Sequence, residues 1–535
     1  MQASRPAFRA GEQAQAATPR THPKLAVLIV VDQMRADYVD RFAADWTGGF
    51  KRLLTTGAVY TNAAYPYFQT WTCSGHATIS TGTFPHTHGI VQNEWPTNDP
   101  RQEPWCVDDP RTQDIGYTRA PVGSHSPWQL RVPTFADVMR ASEGARVVSV
   151  SLKADAAIML AGHGGDAVTW VSDRLDTLAT STAYTSRPVP AVAAFARANP
   201  IEQYAKRTWD RLLPAARYAE ADAAVGELPP PGWTSTFPHT LSAAGVLSDA
   251  DFRVQWQRSP FVDEYVAQLA TSLADSFQLG TRATTDVLAI SFSATDEVGH
   301  LFGPRSQEVH DTLVRLDRTL GALFAHLDAA LGAGTYVVAL SADHGVTPIP
   351  EQARQEGRDA GRIDPVGVAY TVERTLTAAW GQGPYVSAIA GTNMNVYFMP
   401  GVAERLRASP QVLDAVVRNV QQMPGVARVF TAGALGSVDQ ADPLARAVAL
   451  SYFPGRSGEV IVAIKPGWNA TTAPAMHGNA TADDQRVPLV LAGFGVKPGR
   501  YAQAVTPADI APTLAELCGA SMPRTEGRVL REALK

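Results

Sequence analysis

Five short apolar runs in the chain end in, or lie beside, polar residues that could carry chemistry. They are LAVLIVVD ending at Asp32, RVVSVSLK ending at Lys153, DVLAISFSATD ending at Asp296, TYVVALSADHG containing Asp343 and His344, and VPLVLAGFG following His477. Uninterrupted apolar runs of this length are typical of strands buried on both faces, as in a parallel sheet. Ligands of such sheets bind beyond the carboxyl ends of the strands, where several of these polar residues would lie.

Helical patterns lie between the runs. From Ser306 to Leu331, apolar side chains recur every three to four residues, which predicts a helix with one buried face. Strands that alternate with helices indicate an α/β fold with a largely parallel central sheet flanked by helices.

Two regions interrupt this alternation. Residues 165–258 are rich in Pro, Trp and Thr and have little periodicity, which predicts a long insertion. Residues 365–440 have the pattern strand, helix, strand, which predicts a small α+β cap subdomain. We expect residues 1–23 to form a flexible leader because they are polar, and residues 24–535 to form one large domain with these two additions.

Composition excludes some classes of function. The chain has 535 residues, 45% of them hydrophobic, and a net charge of −5 without any basic block, so no nucleic-acid polymer is expected as a partner. The leader lacks the apolar stretch of a secretory signal, and the longest aliphatic run, Leu25–Val31, is too short to span a bilayer.

Three cysteines, Cys73, Cys106 and Cys518, allow at most one disulfide and contain no Cys-x-x-Cys pair. A thiolate zinc site or redox motif is therefore not expected. The sequence leaves open whether Cys73 and Cys106 are bridged.

Acidic and imidazole side chains at the ends of the apolar runs suggest a metal site. Asp296 and His300 are four apart, so they would share one face of a helical turn. The other candidates are Asp32, the neighbours Asp343 and His344, and His477. Carboxylates with imidazoles suit Zn²⁺, and Mn²⁺ or Fe would accept them too. Taken singly, each has a structural explanation: a helix cap, a solvated turn or a surface histidine.

The segment QTWTCSGHATISTG, residues 69–82, contains the candidate nucleophiles. Hydroxyls need a base or a metal for activation, and residue chemistry alone does not rank Thr72 against Ser74. Cys73 is a rival without an evident partner, and a Ser/Thr-rich helix start is the structural alternative.

Six blocks make the chain resemble the alkaline phosphatase superfamily. They are VVDQMRADY, TWTCSGHATISTGTFPHTHGIVQNEW, SLKADAAIMLAGH, SFSATDEVGHLFGP, LSADHGV and HGNATADDQRVPLVLAG. The resemblance extends from about residue 25 to the C-terminus. It is greatest to the threonine-dependent bacterial alkaline phosphatases, which are related to type I phosphodiesterases and nucleotide pyrophosphatases.

The resemblance implies a two-zinc site that acts on small-molecule phosphate esters in the periplasm or outside the cell. One Zn²⁺ would be held by Asp296, His300 and His477, and the other by Asp32, Asp343, His344 and Thr72. Thr72 would be the nucleophile that forms a phosphothreonine. Asn93 and Lys153 would bind the phosphate and contribute to catalysis.

One position departs from the pattern of the monoesterases, which carry a Lys-x-Arg pair. Lys153 is present, but Asp155 occupies the arginine position, so an anion replaces a bidentate cation. Phosphate monoester hydrolysis remains the favoured activity, with phosphodiesterase or nucleotide pyrophosphatase activity as the alternative.

Two further explanations of the Asp155 position stay open. Asp155 could turn outward while Arg119, Arg187 or Arg305 supplies the cation. The chain could also be a silent metal-binding protein that keeps the ligands for stability.

A sulfatase is disfavoured because TCSGHAT lacks the Pro and Arg that follow the modified Cys or Ser of sulfatases. The oligomeric state and the physiological substrate are not predicted.

Overall fold

A ten-stranded sheet forms the centre of the protein. The computed structural model describes residues 21–96, 103–120, 123–243, 249–390 and 394–535. In chain order the strands of this sheet are β1 Leu25–Val31, β2 Ala58–Ala63, β3 Asp114–Gly116, β4 Val147–Ser151, β5 Ala167–Val171, β6 Leu178–Ser181, β7 Asp286–Phe292, β8 Val337–Ser341, β9 Leu489–Gly493 and β10 Gly499–Val505.

The spatial order of the strands is β10-β2-β9-β8-β1-β7-β4-β5-β6-β3. The five strands from β8 to β5 are mutually parallel, which confirms the predicted α/β fold with a largely parallel sheet. The run VPLVLAGFG forms β9, which is antiparallel to both of its neighbours. Strand β10 pairs parallel with β2 at one edge, whereas β6 and β3 pair antiparallel at the other.

Both faces of the sheet are buried, which explains the uninterrupted apolar runs. In β1, Val27 and Ile29 belong to one apolar cluster, whereas Ala26 and Leu28 belong to a second cluster on the opposite face. Side chains alternate between the faces of a strand, so apolar residues are needed at every position when both faces are covered.

Helices of eight or more residues cover the sheet and the outer regions. They are Gly49–Thr56, Thr72–Thr81, Phe135–Glu143, Ala154–Ala161, Pro190–Ala198, Asp249–Gln257, Phe261–Ser276, Ala294–Phe302, Gln307–Leu331, Pro365–Trp380, Pro410–Gln421, Pro443–Ser451 and Ile510–Leu517. Shorter α-helices are Tyr38–Arg41, Pro85–His88, Pro350–Gln355, Val402–Arg407 and Ala482–Gln485.

The helix predicted from the apolar spacing after Ser306 is confirmed. It spans Gln307–Leu331, and the Ser306 side chain caps it by accepting a hydrogen bond from the Val309 N–H. An N-cap hydroxyl satisfies one of the backbone donors that a helix start leaves unpaired.

The two regions that interrupt the alternation contain regular elements. The first, from residue 165, begins with β5 and β6 of the main sheet and includes the Asp249–Gln257 helix. The second region contributes three strands to a separate four-stranded sheet. The order of this sheet is Val386–Ala390, Asn395–Phe398, Val460–Ile464 and Val426–Thr431. The strand Val460–Ile464 lies beyond residue 440, outside the predicted bounds of this region. Their assignment as an insertion and a cap stays a prediction.

Short two-stranded ladders complete the description. They pair Thr208–Trp209 with His239–Thr240, and Gly361–Arg362 with Trp468–Asn469. Most of the expected flexible leader, residues 1–20, lies outside the described residues. Within the described part of the chain, we find no helix with the length and apolar character needed to cross a membrane.

Candidate active site

Thr72 is the first residue of the Thr72–Thr81 helix, and its side chain is 3% exposed. Its Oγ1 lies 3.4 Å from Nε2 of His344. A Cβ at Gly75 would lie 2.2 Å from the carbonyl oxygen of Asp343, so only glycine lets this helix pack so closely on the Asp343 loop. The start of the helix therefore places the Thr72 hydroxyl beside the acidic and imidazole side chains.

The first acid–imidazole group consists of Asp296, His300 and His477. Asp296 and His300 lie one turn apart on the Ala294–Phe302 helix, with His300 Nε2 3.0 Å from Asp296 Oδ1. His477 Nε2 lies 3.8 Å from the same oxygen. The ligand atoms of the three residues are close enough to share one metal ion.

The second group consists of Asp32, Asp343 and His344 at the ends of β1 and β8. His344 Nε2 lies 3.4 Å from Asp32 Oδ1 and 3.3 Å from Asp343 Oδ2. The two groups adjoin, because the rings of His344 and His477 stack with their centroids 3.5 Å apart. The structure thus brings together the six acidic and imidazole residues that the sequence singled out.

Backbone carbonyls fix the orientation of all three imidazoles. His300 Nδ1 lies 2.9 Å from Ala475 O, His477 Nδ1 2.8 Å from Thr70 O, and His344 Nδ1 2.9 Å from Gly345 O. A carbonyl acceptor assigns the ring proton to Nδ1, which leaves Nε2 as the ligand atom and is the usual arrangement of metal-binding histidines.

The carboxylates of the site are buried and incompletely paired. Asp32 Oδ1 and Asp343 Oδ2 have no hydrogen-bond donor among the described residues. Burial, followed by repulsion from Asp296 and Asp343, raises the pKa of Asp32 well above its usual range. Buried anionic oxygens without donors favour a bound cation, so the donor set fits metal ions.

Lys153 and Asn93 lie in the same cleft as Thr72. Lys153 Nζ donates to Asp32 Oδ2 at 2.7 Å and also to Asp296. The Asn93 Oδ1 accepts the N–H of Cys73 at 2.9 Å, which leaves the amide Nδ2 as its donor group. Both expected phosphate-binding residues are therefore adjacent to the candidate nucleophile.

Asp155 does not turn outward. It is 3% exposed and lines the cleft, and its Oδ2 accepts the Trp105 Nε1–H at 2.9 Å. Its Oδ1 accepts the N–H of Ala156 at 2.7 Å, in the first turn of the Ala154–Ala161 helix. The outward orientation considered for Asp155 is therefore wrong. Its carboxylate instead fixes the indole ring of Trp105, which lines the cleft.

None of the three arginines named from the sequence lines the Thr72 cleft. Arg119 pairs with Glu202, and Arg305 pairs with Glu356. The arginine that does line the cleft is Arg258, at the end of the region 165–258. Arg258 was not identified from the sequence because no apolar periodicity surrounds it. The Ser-Pro pair at residues 259–260, which marks a turn directly after it, was the signal that could have identified it.

Gln33 is a second residue that the sequence reasoning missed. Its backbone N–H donates to Asp343 Oδ1 at 3.1 Å, and its side-chain Nε2 donates to Asp296 Oδ1 at 2.5 Å. It therefore connects one carboxylate of each acid–imidazole group. Its place directly after Asp32 was the signal that could have identified it.

A disulfide joins Cys73 to Cys106, and Cys518 is a buried free thiol. Since Cys73 follows Thr72, the bridge connects the start of the Thr72–Thr81 helix to the segment that carries Trp105. Ser74 Oγ is buried and has no hydrogen-bond partner among the described residues. Neither Cys73 nor Ser74 lines the cleft, so both are poor candidates for the nucleophile.

Relatives of known activity match nearly the whole chain. Alkaline phosphatase PafA of Elizabethkingia meningoseptica is 34% identical over 96% of this chain and 94% of its own. Alkaline phosphatase PhoV of Synechococcus elongatus is 31% identical over 96% of this chain and 93% of its own.

Solved structures agree with these relatives. The crystal structure of wild-type PafA covers 97% of this chain and 100% of its own, with 31% identity and a TM-score of 0.89. A PafA variant with a threonine, an asparagine, a lysine and an arginine replaced matches with 32% identity and the same TM-score. Its threonine and asparagine are 21 positions apart and its lysine and arginine two apart, like Thr72 and Asn93 and like Lys153 and Asp155.

The fold and these relatives define a phosphoric ester hydrolase with an alkaline phosphatase-like fold. The chain belongs to the type I phosphodiesterase / nucleotide pyrophosphatase family, whose model matches residues 26–487. This family lies within the alkaline phosphatase superfamily, as the sequence resemblance indicated.

Proposed function

We propose that the protein is a zinc-dependent phosphomonoesterase that forms a covalent phosphothreonine on Thr72 and releases inorganic phosphate. The observation that carries this proposal is the position of the Thr72 hydroxyl, 3.4 Å from His344 Nε2, where the two acid–imidazole groups adjoin. The N-terminus of the helix that Thr72 begins also favours a bound anion.

Two Zn²⁺ ions are the proposed cofactors. Asp296, His300 and His477 would hold one ion, and Asp32, Asp343, His344 and Thr72 would hold the other. Three Asp contribute −3 and two ions +4, which leaves +1 before the Thr72 alkoxide forms. When bound, such a pair supplies Lewis-acid stabilisation to the attacking and leaving oxygens of an in-line displacement. Without the ions, three ionised carboxylates offset by Lys153 alone would repel phosphate.

The chain's own residues then divide the reaction between them. Thr72 Oγ1 attacks phosphorus, the bond from phosphorus to the ester oxygen breaks, and the alcohol departs with a proton. Water next cleaves the bond between phosphorus and Oγ1, which restores the Thr72 hydroxyl and releases phosphate. Asn93 and Lys153 bind the phosphate oxygens, a role supported by the matching residue types and spacings replaced in the PafA variant.

Phosphodiesterase or nucleotide pyrophosphatase activity is the second candidate. The observation that favours it is the Asp155 carboxylate, which stands in the cleft where the monoesterase pattern has an arginine. A diester carries one negative charge rather than two, so it loses less from the missing cation.

A pair of alanine variants tests the role of Thr72. We expect Thr72→Ala to lower kcat for phenyl phosphate by about a thousandfold or more, because it removes the attacking oxygen. Ser74→Ala is the matched control, since its hydroxyl lies on the same helix but outside the cleft, and should stay close to wild type. Zinc content measured by mass spectrometry should be similar in all three proteins. Turnover by Thr72→Ala near the wild-type rate would assign the attack to water or to another group.

The cellular setting is proposed from the disulfide and the charge. Structural disulfides persist in oxidising compartments, so the Cys73–Cys106 bridge supports a periplasmic or secreted location. The net charge of −5 supports small-molecule phosphate esters rather than nucleic-acid polymers as substrates.

A further inference from the structure

The monoesterase pattern has an arginine two residues after its lysine, and Asp155 cannot supply that cation here. Its carboxylate is committed to Trp105 and to the start of the Ala154–Ala161 helix. Lys153 is also partly engaged, because its Nζ contacts Asp32 and Asp296. Among the described residues that line the cleft, of about 680 Å³, Arg258 is the one arginine or lysine besides Lys153.

Arg258 reaches the cleft from the Asp249–Gln257 helix. Its backbone N–H bonds to Val254 O at 3.1 Å, so it continues the last turn of that helix. Its side chain is 26% exposed and lines the same cavity as Thr72, Asn93 and Lys153. The helix therefore delivers a guanidinium to the cavity from a part of the chain remote from Lys153 in sequence.

The Arg258 guanidinium retains donors for a ligand. The Arg258 side chain makes no hydrogen bond among the described residues, where its buried Nε also has no hydrogen-bond acceptor. The ion-pair partner found within 4 Å in the described part of the chain is Glu297, whose Oε2 lies 3.5 Å from Nε. A planar guanidinium with unused donors is well suited to bidentate contact with phosphate oxygens.

Glu297 positions Arg258 relative to Lys153. Its Oε1 accepts the Gln257 Nε2–H at 3.0 Å and lies 4.0 Å from Lys153 Nζ. The two cations thus stand on either side of one carboxylate, and this carboxylate directly follows Asp296 in the chain. Both cations line the cleft that contains Thr72.

We propose that Arg258 binds the non-bridging oxygens of a phosphate monoester and thereby supplies the monoester selectivity that Asp155 cannot. This inference rests on the proposed function, since it assigns a specificity-determining residue to the same reaction. Arg258 and Lys153 together would match the second negative charge of a monoester, which a diester does not carry.

The test compares Arg258→Gln with a control arginine on the same helix. Arg253 forms an i,i+4 pair with Asp249 and does not line the cleft. We expect Arg258→Gln to lower kcat/KM for phenyl phosphate by about 10- to 100-fold and that for diphenyl phosphate by less than about threefold, the range for a lost charge-assisted hydrogen bond. Arg253→Gln should leave both values unchanged.

Binding of inorganic phosphate gives a readout that does not depend on turnover. The dissociation constant of phosphate for the zinc-loaded protein, measured by calorimetry, should rise about tenfold or more in Arg258→Gln. It should rise less in Arg258→Lys, which keeps the charge but loses the planar fork. Circular dichroism and zinc content identify a variant that fails to fold, in which case Arg258→Lys provides the comparison.

The failures of the two proposals differ. Wild-type protein that hydrolyses neither ester overturns the proposed function, and the phosphate-binding comparison then still tests Arg258. If wild-type protein hydrolyses the monoester, two results would overturn the assignment of Arg258 alone. In the first, Arg258→Gln lowers kcat/KM equally for both esters. In the second, it binds phosphate as tightly as wild type.

Discussion

At the scale of single residues, Gln33 is one of the residues that couple the two acid–imidazole groups. Its backbone has a φ of 66°, which lies in the left-handed region that residues other than glycine rarely adopt. Its side chain packs so closely on the Ala294–Phe302 helix that a Cβ at Gly299 would lie 2.0 Å from its Oε1. A left-handed backbone costs free energy in a residue other than glycine. We infer that the hydrogen bond from the Gln33 side chain to Asp296 offsets this cost.

Replacement of Gln33 by glycine isolates the contribution of this side chain. Glycine adopts the left-handed backbone without strain, so Gln33→Gly removes the hydrogen bond to Asp296 and leaves the turn intact. We expect zinc affinity to fall by about 10- to 100-fold, as for other groups that orient metal ligands, measured by competition with a chromogenic chelator. Gln352→Ala, remote from the cleft, is the control. Unchanged affinity in Gln33→Gly would show that Asp296 is held by other groups.

The residues that sequence reasoning found and missed differ in one physical respect. Asp32, Asp343 and His344 follow buried strands, so the local pattern and the topology of parallel sheets together predict their convergence. Arg258 enters the cleft from a helix whose orientation depends on tertiary packing, and no local periodicity encodes that. The direction of the Asp155 side chain was equally unpredictable, because its partner Trp105 lies 50 residues away.

At the scale of elements, the Ala294–Phe302 helix carries Asp296 and His300 and is anchored at its start by Asp263. This residue lies on the Phe261–Ser276 helix and is 2% exposed, and its Oδ1 accepts the Ala294 N–H at 3.1 Å. Its Oδ2 has no hydrogen-bond partner in the described residues. Burial raises the pKa of Asp263 to about 7, although backbone hydrogen bonds oppose the rise.

This raised pKa has a definite sign for stability. The native state holds the Asp263 proton more tightly than the unfolded chain, whose carboxyl has a pKa of 3.8. The contribution to stability is full below pH about 4, falls as pH rises towards 7, and is constant above that. An isosteric amide keeps the acceptor oxygen for Ala294 and does not ionise.

We therefore expect Asp263→Asn to gain stability relative to wild type as pH rises from 4 to 7, by at most about 1.4 kcal/mol per pH unit. Urea unfolding of both proteins at pH 5 and pH 8 measures this difference. Glu404→Gln is the control, because Glu404 is an exposed carboxylate on the separate Val402–Arg407 helix. A stability difference that is the same at both pH values would contradict an ionisation of Asp263 in this range.

The elements themselves were largely predictable, whereas their pairing was less so. The runs that form β1, β4, β7 and β8 have apolar residues on both faces of the strand because both faces of the sheet are covered. Strand β9 has the same appearance but pairs antiparallel on both sides. Burial on two faces determines composition, whereas strand direction depends on the connections, which the composition of a strand does not encode.

At the scale of the whole molecule, a concentration of negative charge lies at the centre of the fold. When all three carboxylates are ionised, Asp32, Asp296 and Asp343 contribute −3 and Lys153 returns +1, which leaves −2 in a buried region. This accumulation of charge is one reason why the pKa of Asp32 is raised. Buried charge without compensation is costly, and two of the carboxylate oxygens have no donor among the described residues. The global stability of the chain should therefore depend on bound cations.

Metal removal tests this dependence on the folded protein as a whole. A ligand that binds only the native state stabilises it by about 4 kcal/mol at a thousandfold excess over its dissociation constant, so two zinc sites should raise Tm by several degrees. We expect EDTA to lower Tm by that amount, measured by calorimetry, and added Zn²⁺ to restore it, whereas Mg²⁺ should not, because imidazole-rich sites do not suit it. Thr72→Ala should keep most of the shift, since six ligands remain, while Asp343→Asn should lose a large part of it. Equal Tm values with and without EDTA, in protein shown to have lost its metal, would mean that the fold tolerates the buried carboxylates with Lys153 alone.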